Sequence, residues 1–296
     1  MKEIEDMMSH HHTKKILYID CFSGIAGDMM LGALIDLGAS QEQMVAALKG
    51  IDLPSWRFET ERTMKQGLSG LKARVLIGDS QTEELPLLSD HSPEGIHDHD
   101  HHHDHHHDHD HHHDHDHHHD HYAYTEIVAK INQSTLSDRV KSLALAVFGA
   151  LAKAEAHVHG TTIEQVHFHE VGMVDSVIDI VGTAWCIDHL GIDEIQCAPP
   201  PLNRGWIKSA HGIIPLPAPA TAHLLLGYQI NSTQLPHELV TPTGAAMISA
   251  WVKQTSHLPQ AKLMQVGWGA GNMNLSDRPN LLRLMVFEID GFFFSK

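Results

Sequence analysis

Ile16-Leu-Tyr-Ile-Asp20 runs into Cys21-Phe-Ser-Gly-Ile-Ala-Gly27 and then into Asp28-Met-Met-Leu-Gly-Ala-Leu34. The first piece is a short apolar run of the length of a buried strand. The second turns through Gly24 and Gly27, and the third begins an apolar helix at Asp28. A strand, a glycine turn and a helix start place backbone N–H groups and a helix N-terminus where a phosphate could sit. The same residues also serve as an N-cap and an inexpensive turn. The turn is not a Walker P-loop, because no Lys-Ser/Thr follows its glycines.

Working outward, helices are expected over about 28–38 and 41–49, then strand-like stretches at Trp56–Thr63 and Leu71–Ile77. These make residues 15–79 a small α/β module behind a flexible N-terminus, residues 1–14. From Gly78 the composition turns polar, and residues 80–121 read as a disordered insertion rich in His and Asp. Helical periodicity returns at Tyr122 and continues over about 137–157, where Leu143, Val147 and Leu151 fall on one stripe. A further helix is expected from Asp175 to near Gly191. The Pro- and Gly-rich segment 199–220 reads as largely irregular. Helices near 219–226 and 243–252 and strands near 261–266 and 281–287 complete a larger mixed unit, 122–288, with a tail at 289–296. The fold class is α/β or α+β.

A chain of 296 residues with 42% hydrophobic content has enough apolar material for one large or two modest cores. No apolar run approaches the roughly 20 residues that span a bilayer, and Met1-Lys-Glu-Ile-Glu-Asp-Met is too acidic for a signal peptide. A cytoplasmic location is expected. Cys21, Cys186 and Cys197 are far apart and form no C-x-x-C pair, which argues against a disulfide framework or a thiolate zinc site. The formal net charge of −17 argues against nucleic acid or an anionic membrane as partner.

Residues 97–121 are only His and Asp: His97, His99, His101, His102, His103, His105, His106, His107, His109, His111, His112, His113, His115, His117, His118, His119 and His121, interleaved with eight Asp. Such a segment buries no apolar surface to offset its conformational entropy. Neutral imidazole suits nickel, copper, zinc and cobalt alike, so the tract identifies a borderline divalent metal without choosing one. Many equivalent flexible donors suit storage or delivery better than catalysis.

Two other groups could carry chemistry. His157 and His159 precede His167-Phe-His169-Glu170, where side chains two apart in an extended segment point the same way and could converge on one ion. Asp175 and Asp179 then share a helix face, although Asp175 could be only the N-cap. In the Pro-Gly region, Arg204 and Lys208 offer positive charge to an anionic ligand, near His211 and the Thr241-Pro-Thr-Gly244 stretch.

Taken together, Asp20-Cys-Phe-Ser-Gly-Ile-Ala-Gly-Asp-Met-Met-Leu-Gly32, the internal His tract, Val166-His-Phe-His-Glu-Val-Gly-Met-Val-Asp-Ser-Val-Ile-Asp-Ile-Val-Gly182 and Ser209-Ala-His-Gly-Ile-Ile-Pro-Leu-Pro-Ala-Pro-Ala220 resemble the LarC-type nickel insertion family. The resemblance runs from about residue 15 to 286 in collinear motifs. It implies insertion of a nickel ion into pyridinium-3,5-bisthiocarboxylic acid mononucleotide, giving the nickel-pincer nucleotide of lactate racemase in a CTP-dependent, lyase-class reaction. Nickel ends bound by two sulfurs and a pyridinium carbon, so the ring must lose its C4 proton and a general base is expected. On residue chemistry, His167, His169 and Glu170 are the candidates for ligands and base. Asp20, Ser23, Gly24, Gly27, Asp28, Arg204 and His211 are the candidates for substrate binding. Family members usually continue into a C-terminal domain to which CTP binding, with a divalent metal, is attributed. A separate C-terminal polypeptide is therefore expected as partner, besides lactate racemase or the sulfur-inserting maturation enzyme, and a homo-oligomer remains open. The competing readings are a nickel storage protein or metallochaperone without chemistry, and a metal-dependent phosphohydrolase.

Overall fold

The computed structural model describes residues 13–78, 122–168, 173–209 and 212–289. In chain order its main elements are β1 (Lys14–Asp20), α1 (Gly27–Asp36), α2 (Gln41–Leu48), β2 (Trp56–Lys65), β3 (Leu68–Ile77), α3 (Tyr124–Gln133), α4 (Asp138–His159), α5 (Val174–His189), β4 (Glu194–Cys197), β5 (Pro201–Asn203), β6 (Gly205–Ser209), β7 (Gly212–Leu216), α6 (Pro219–Leu224), β8 (Asn231–Thr233), α7 (Pro242–Trp251), β9 (Lys262–Ala270) and β10 (Leu281–Ile289). The architecture is mixed α/β.

Ile16 to Ile19 of β1 are all buried, as a strand covered on both faces requires. β1 lies inside a six-stranded sheet of order β2-β3-β9-β10-β1-β4, antiparallel to β10 and parallel to β4. Strands from before and after the His tract therefore share one sheet. Leu17 and Ile19 face the large core beneath α1, α4 and α5, while Ile16 and Tyr18 pack with Met285 and Phe287 on the other face. Local signals set the helix ends: Ser137 caps α4 by accepting from Val140 N–H at 3.2 Å, and Gly160 ends it in the left-handed region.

Helix α1 rests almost directly on β9. A Cβ at Gly269 would stand 1.9 Å from the carbonyl oxygen of Met29, and one at Gly267 2.4 Å from that of Ala33. The two glycines let the helix backbone reach the strand, and this contact fixes where Asp28 stands.

Three expectations are corrected. Segment 199–220 is not largely irregular, for β5, β6, β7 and the first turn of α6 lie in it. Its prolines are tolerated because both strands of the β6–β7 hairpin are edges, where a missing N–H can face outward; Pro215 pairs opposite Trp206. Asp28 does not cap α1: the N-cap is Ala26, which offers no side-chain hydrogen bond. Nor is Asp175 the cap of α5, where Met173 holds that position. Both carboxylates sit in the first helical turn instead. No helix among the described residues is long and apolar enough to cross a membrane.

Candidate active site

The loop between β1 and α1 is pinned to the segment that leads into α7. Gly24 has φ of 107°, and a Cβ on it would lie 2.0 Å from the carbonyl oxygen of Leu239. Only glycine meets both conditions. The N–H of Ile25 donates to Leu239 at 2.9 Å, and that of Thr241 donates back to Ile25 at 3.1 Å. This clamp sets the N-terminus of α1 beside that of α7, which Thr241 caps by accepting from Gly244 N–H.

Three carboxylates gather there. Asp28 comes from α1, and Asp175 and Asp179 come from α5, one helical turn apart. A Cβ on Gly27 would be 2.8 Å from Asp179 Oδ2, so only the absence of a side chain lets the two helices close on this acid. Burial holds the pKa of Asp28 above the usual carboxylate range; the Met29 N–H and the Lys72 ammonium oppose that, and Asp175 adds to it. Asp179 is raised further, first by burial and then by the charges of Asp28 and Asp175. Asp28 accepts from Met29 N–H at 2.8 Å and from the Asn272 amide at 3.2 Å. Lys65, itself buried, donates to the carbonyls of Asn272 and Met273 and to Asn274 Oδ1, holding that loop in place.

Two clefts meet at Asp28. One, of about 480 Å³, is lined by Gly27, Asp28, Asp175, Asp179, Glu238 and Thr243, with Arg74 at its edge. First-turn residues of α1, α5 and α7 therefore open into one space, and each helix end contributes partial positive charge. The other, of about 310 Å³, is lined by Asp28, Met29, Trp206, Leu216, Pro236 and Met273 among others and is mainly apolar. Asp28, Glu238, Thr241 and Asn272 border both.

The residues expected to act are placed unevenly. Gly24, Gly27 and Asp28 build the site just described. Ser23 lies beneath the loop, buried with its hydroxyl unpaired among the described residues. Asp20 is taken up by an ion pair with Arg283, which stands over the Trp268 ring. His167 is exposed and sits in a single bridge with Ala123, while Phe168 beside it is buried against Tyr124 and Phe148. His157 stacks on His223 with ring centroids 4.2 Å apart, and His159 lies 3.3 Å from Glu155. Arg204 is exposed between β5 and β6. His169, Glu170, His211 and the seventeen histidines of 97–121 lie outside the described residues. Among the described residues no three His, Cys, Asp or Glu side chains are grouped to hold a metal ion.

Sequence reasoning noted that Asp175 and Asp179 share a helix face but gave them no role, and it did not select Glu238 or Asn272. The available signal was Asp179 alone in the run Val177-Ile-Asp-Ile-Val181, an acid where only apolar side chains fit without a special environment. Asn272 had no signal, since its place follows from the Lys65 tether.

The nickel insertion protein family model matches residues 17–293. The chain is similar to the pyridinium-3,5-bisthiocarboxylic acid mononucleotide nickel insertion proteins of Geobacillus kaustophilus (42% identical over 93% of this chain and 60% of that one) and Clostridium acetobutylicum (44%, over 94% and 65%). It is similar also to that of Desulfitobacterium hafniense, at 39% over 93% of this chain and 59% of the relative. The chain thus spans about 60% of the length of the curated relatives it matches. No solved structure matches it. The matched stretch takes in the glycine loop, both acid-bearing helices and all but the first strand residues of the sheet, so the chain belongs to the nickel insertion protein family.

Proposed function

We propose that the chain inserts a nickel ion into pyridinium-3,5-bisthiocarboxylic acid mononucleotide, the substrate for which its relatives are named. The observation that carries this reading is the position of Asp28 where a cleft lined by carboxylates meets an apolar cleft suited to an aromatic ring. A carboxylate whose pKa is raised by burial is a stronger base than an ordinary one. As the nickel–carbon bond forms, the electron pair of the ring C4–H bond passes to the metal and its proton passes to Asp28. His167, His169 and Glu170 are the proposed nickel ligands; His169 and Glu170 precede Asp175 by six and five residues. Arg204 and His211 would face the anionic groups of the substrate, Gly24, Gly27 and Ser23 would shape the loop beneath it, and Asp20 would hold that loop through Arg283.

The product would be the nickel-pincer nucleotide of lactate racemase, made in the cytoplasm by a lyase-class reaction. CTP, with its divalent metal, is assigned to a C-terminal polypeptide, as the resemblance to the LarC-type family implies. The tract 97–121 would load and deliver nickel. A second reading, storage or chaperoning without chemistry, is favoured by that tract alone, since seventeen imidazoles exceed what one insertion site uses. Incubation with nickel, CTP and the bisthiocarboxylate mononucleotide, with and without a relative's C-terminal part, decides by mass spectrometry of the nucleotide. Metallated product that disappears in Asp28→Asn supports insertion; bound nickel without product under every condition supports storage.

A further inference from the structure

The β6–β7 hairpin presents a face on which only Arg204 has so far been given a role. Along β6 the burial alternates, so Arg204, Trp206 and Lys208 are all exposed on one side while Ile207 turns inward. Across the ladder, Trp206 pairs with Pro215 and Lys208 with Ile213, which are exposed as well. Trp206 is 71% exposed, an unusual position for a tryptophan, yet it lines the apolar cleft that reaches Asp28. Among the described residues neither Arg204 nor Lys208 has an ion-pair partner. In a chain of formal net charge −17, an aromatic ring between two unpaired cations at a cleft mouth is a local reversal of character.

We infer that Trp206 is the stacking platform for the pyridinium ring of the mononucleotide, with Arg204 and Lys208 on either side taking its anionic groups. This rests on the mononucleotide reading above. An electron-poor cationic ring is attracted to the electron-rich face of indole, and stacking on an aromatic side chain tolerates any substituent pattern on the ring. Arginine suits phosphate by its two-pronged donor geometry, whereas lysine adds a point charge. A ring laid on Trp206 would have the thioethers of Met29 and Met273 and the Asp28 carboxylate on the other lining of the same cleft.

The test uses nicotinic acid mononucleotide, a pyridinium carboxylate mononucleotide, and ribose 5-phosphate, which has the phosphate without the ring. Binding of both to the full chain is measured by calorimetry without nickel. Trp206→Leu should weaken the mononucleotide about tenfold and leave ribose 5-phosphate unchanged, while Trp206→Phe should stay within about threefold of the parent. The double change Arg204→Ala with Lys208→Ala should weaken both ligands. Equal mononucleotide affinity in Trp206→Leu, or no binding by the parent chain, overturns the inference; so does a change confined to self-association in sedimentation. The two readings fail separately. Trp206-dependent binding without nickel insertion sinks the insertase reading alone, and insertion with an unchanged KM in Trp206→Leu sinks this inference alone.

Discussion

Replacing Gly269 by Ala tests whether the contact of α1 with β9 sets the site. The added Cβ would begin 1.9 Å from the Met29 carbonyl oxygen, and contacts under 3.0 Å are essentially never seen. Either the helix or the strand must withdraw by about 1.1 Å at that point. Both elements are pinned, α1 by Leu31 and Leu34 in the core and β9 by its ladder to β10. The strain has no flexible side chain to absorb it, which puts the cost at the upper part of the overpacking range, about 3 kcal/mol. For a chain of this size that lowers the Tm by roughly 6–12 °C. Met29 follows Asp28 directly, so the displacement moves the carboxylate relative to Asn272 and α5, and misplacement of about 1 Å can reduce catalysis on the order of a hundredfold. Thermal denaturation and the insertion assay on the folded variant measure the two effects. A Gly269→Ala protein with parental Tm and rate would show that the glycine contact does not position Asp28.

Asp179→Asn should remove a pH dependence of stability. The folded-state pKa of Asp179 is raised, so its ionisation costs stability at pH above that value, and the cost disappears as pH falls through it toward the unfolded value. Urea midpoints from about pH 4 to 8 should therefore fall with rising pH in the parent more steeply than in Asp179→Asn; parallel curves would contradict the assignment. Lys65→Met leaves the Asn272 and Met273 carbonyls without their donor and should destabilise by about 2 kcal/mol, with a loss of insertion rate that thermal melting alone does not explain. Deleting residues 97–121 should lower the nickel bound per chain, measured by calorimetry near pH 7.5, more than it lowers the insertion rate; equal stoichiometry would refute the storage role.

How far the fold could be read from sequence depended on whether the determinant was local. The span of α4 followed from the Leu143, Val147 and Leu151 stripe, and β1 from its uninterrupted apolar run, because each of these is a signal within a few turns or residues of chain. β4 and β8, four and three residues long, carry no period long enough to detect and exist only through their partners β1 and β5. The site divides in the same way. Gly24, Gly27 and Asp28 form a contiguous motif, so the sequence alone marked them together. Asp175 and Asp179 face Asp28 only because α5 crosses α1 at Gly27, and Asn272 arrives through a lysine some two hundred residues earlier in the chain. Asp20 shows the reverse case: a carboxylate inside the motif whose register opposite Arg283 commits it to an ion pair.

An acidic cleft is at first sight ill suited to the proposed substrate, which carries a phosphate and two thiocarboxylates, but counting carboxylates overstates its negative charge. Burial, and then the charges of Asp28 and Asp175, favour the protonated form of Asp179. The N-termini of α1, α5 and α7 open into the same space, and each contributes about half a positive charge. About 1.5 units of partial positive charge from the backbone, with Arg74 and Lys72 nearby, offset part of the charge of Asp28, Asp175 and Glu238. Compensation by fixed dipoles differs from compensation by a bound cation, because the carboxylate oxygens keep lone pairs for a metal or a proton. The cleft can therefore admit an anionic nucleotide without strong repulsion and still offer Asp28 a proton to accept. A lysine salt bridge to Asp28 would have supplied the first property at the cost of the second, and Asp28 is instead held by two neutral N–H donors, from Met29 and Asn272.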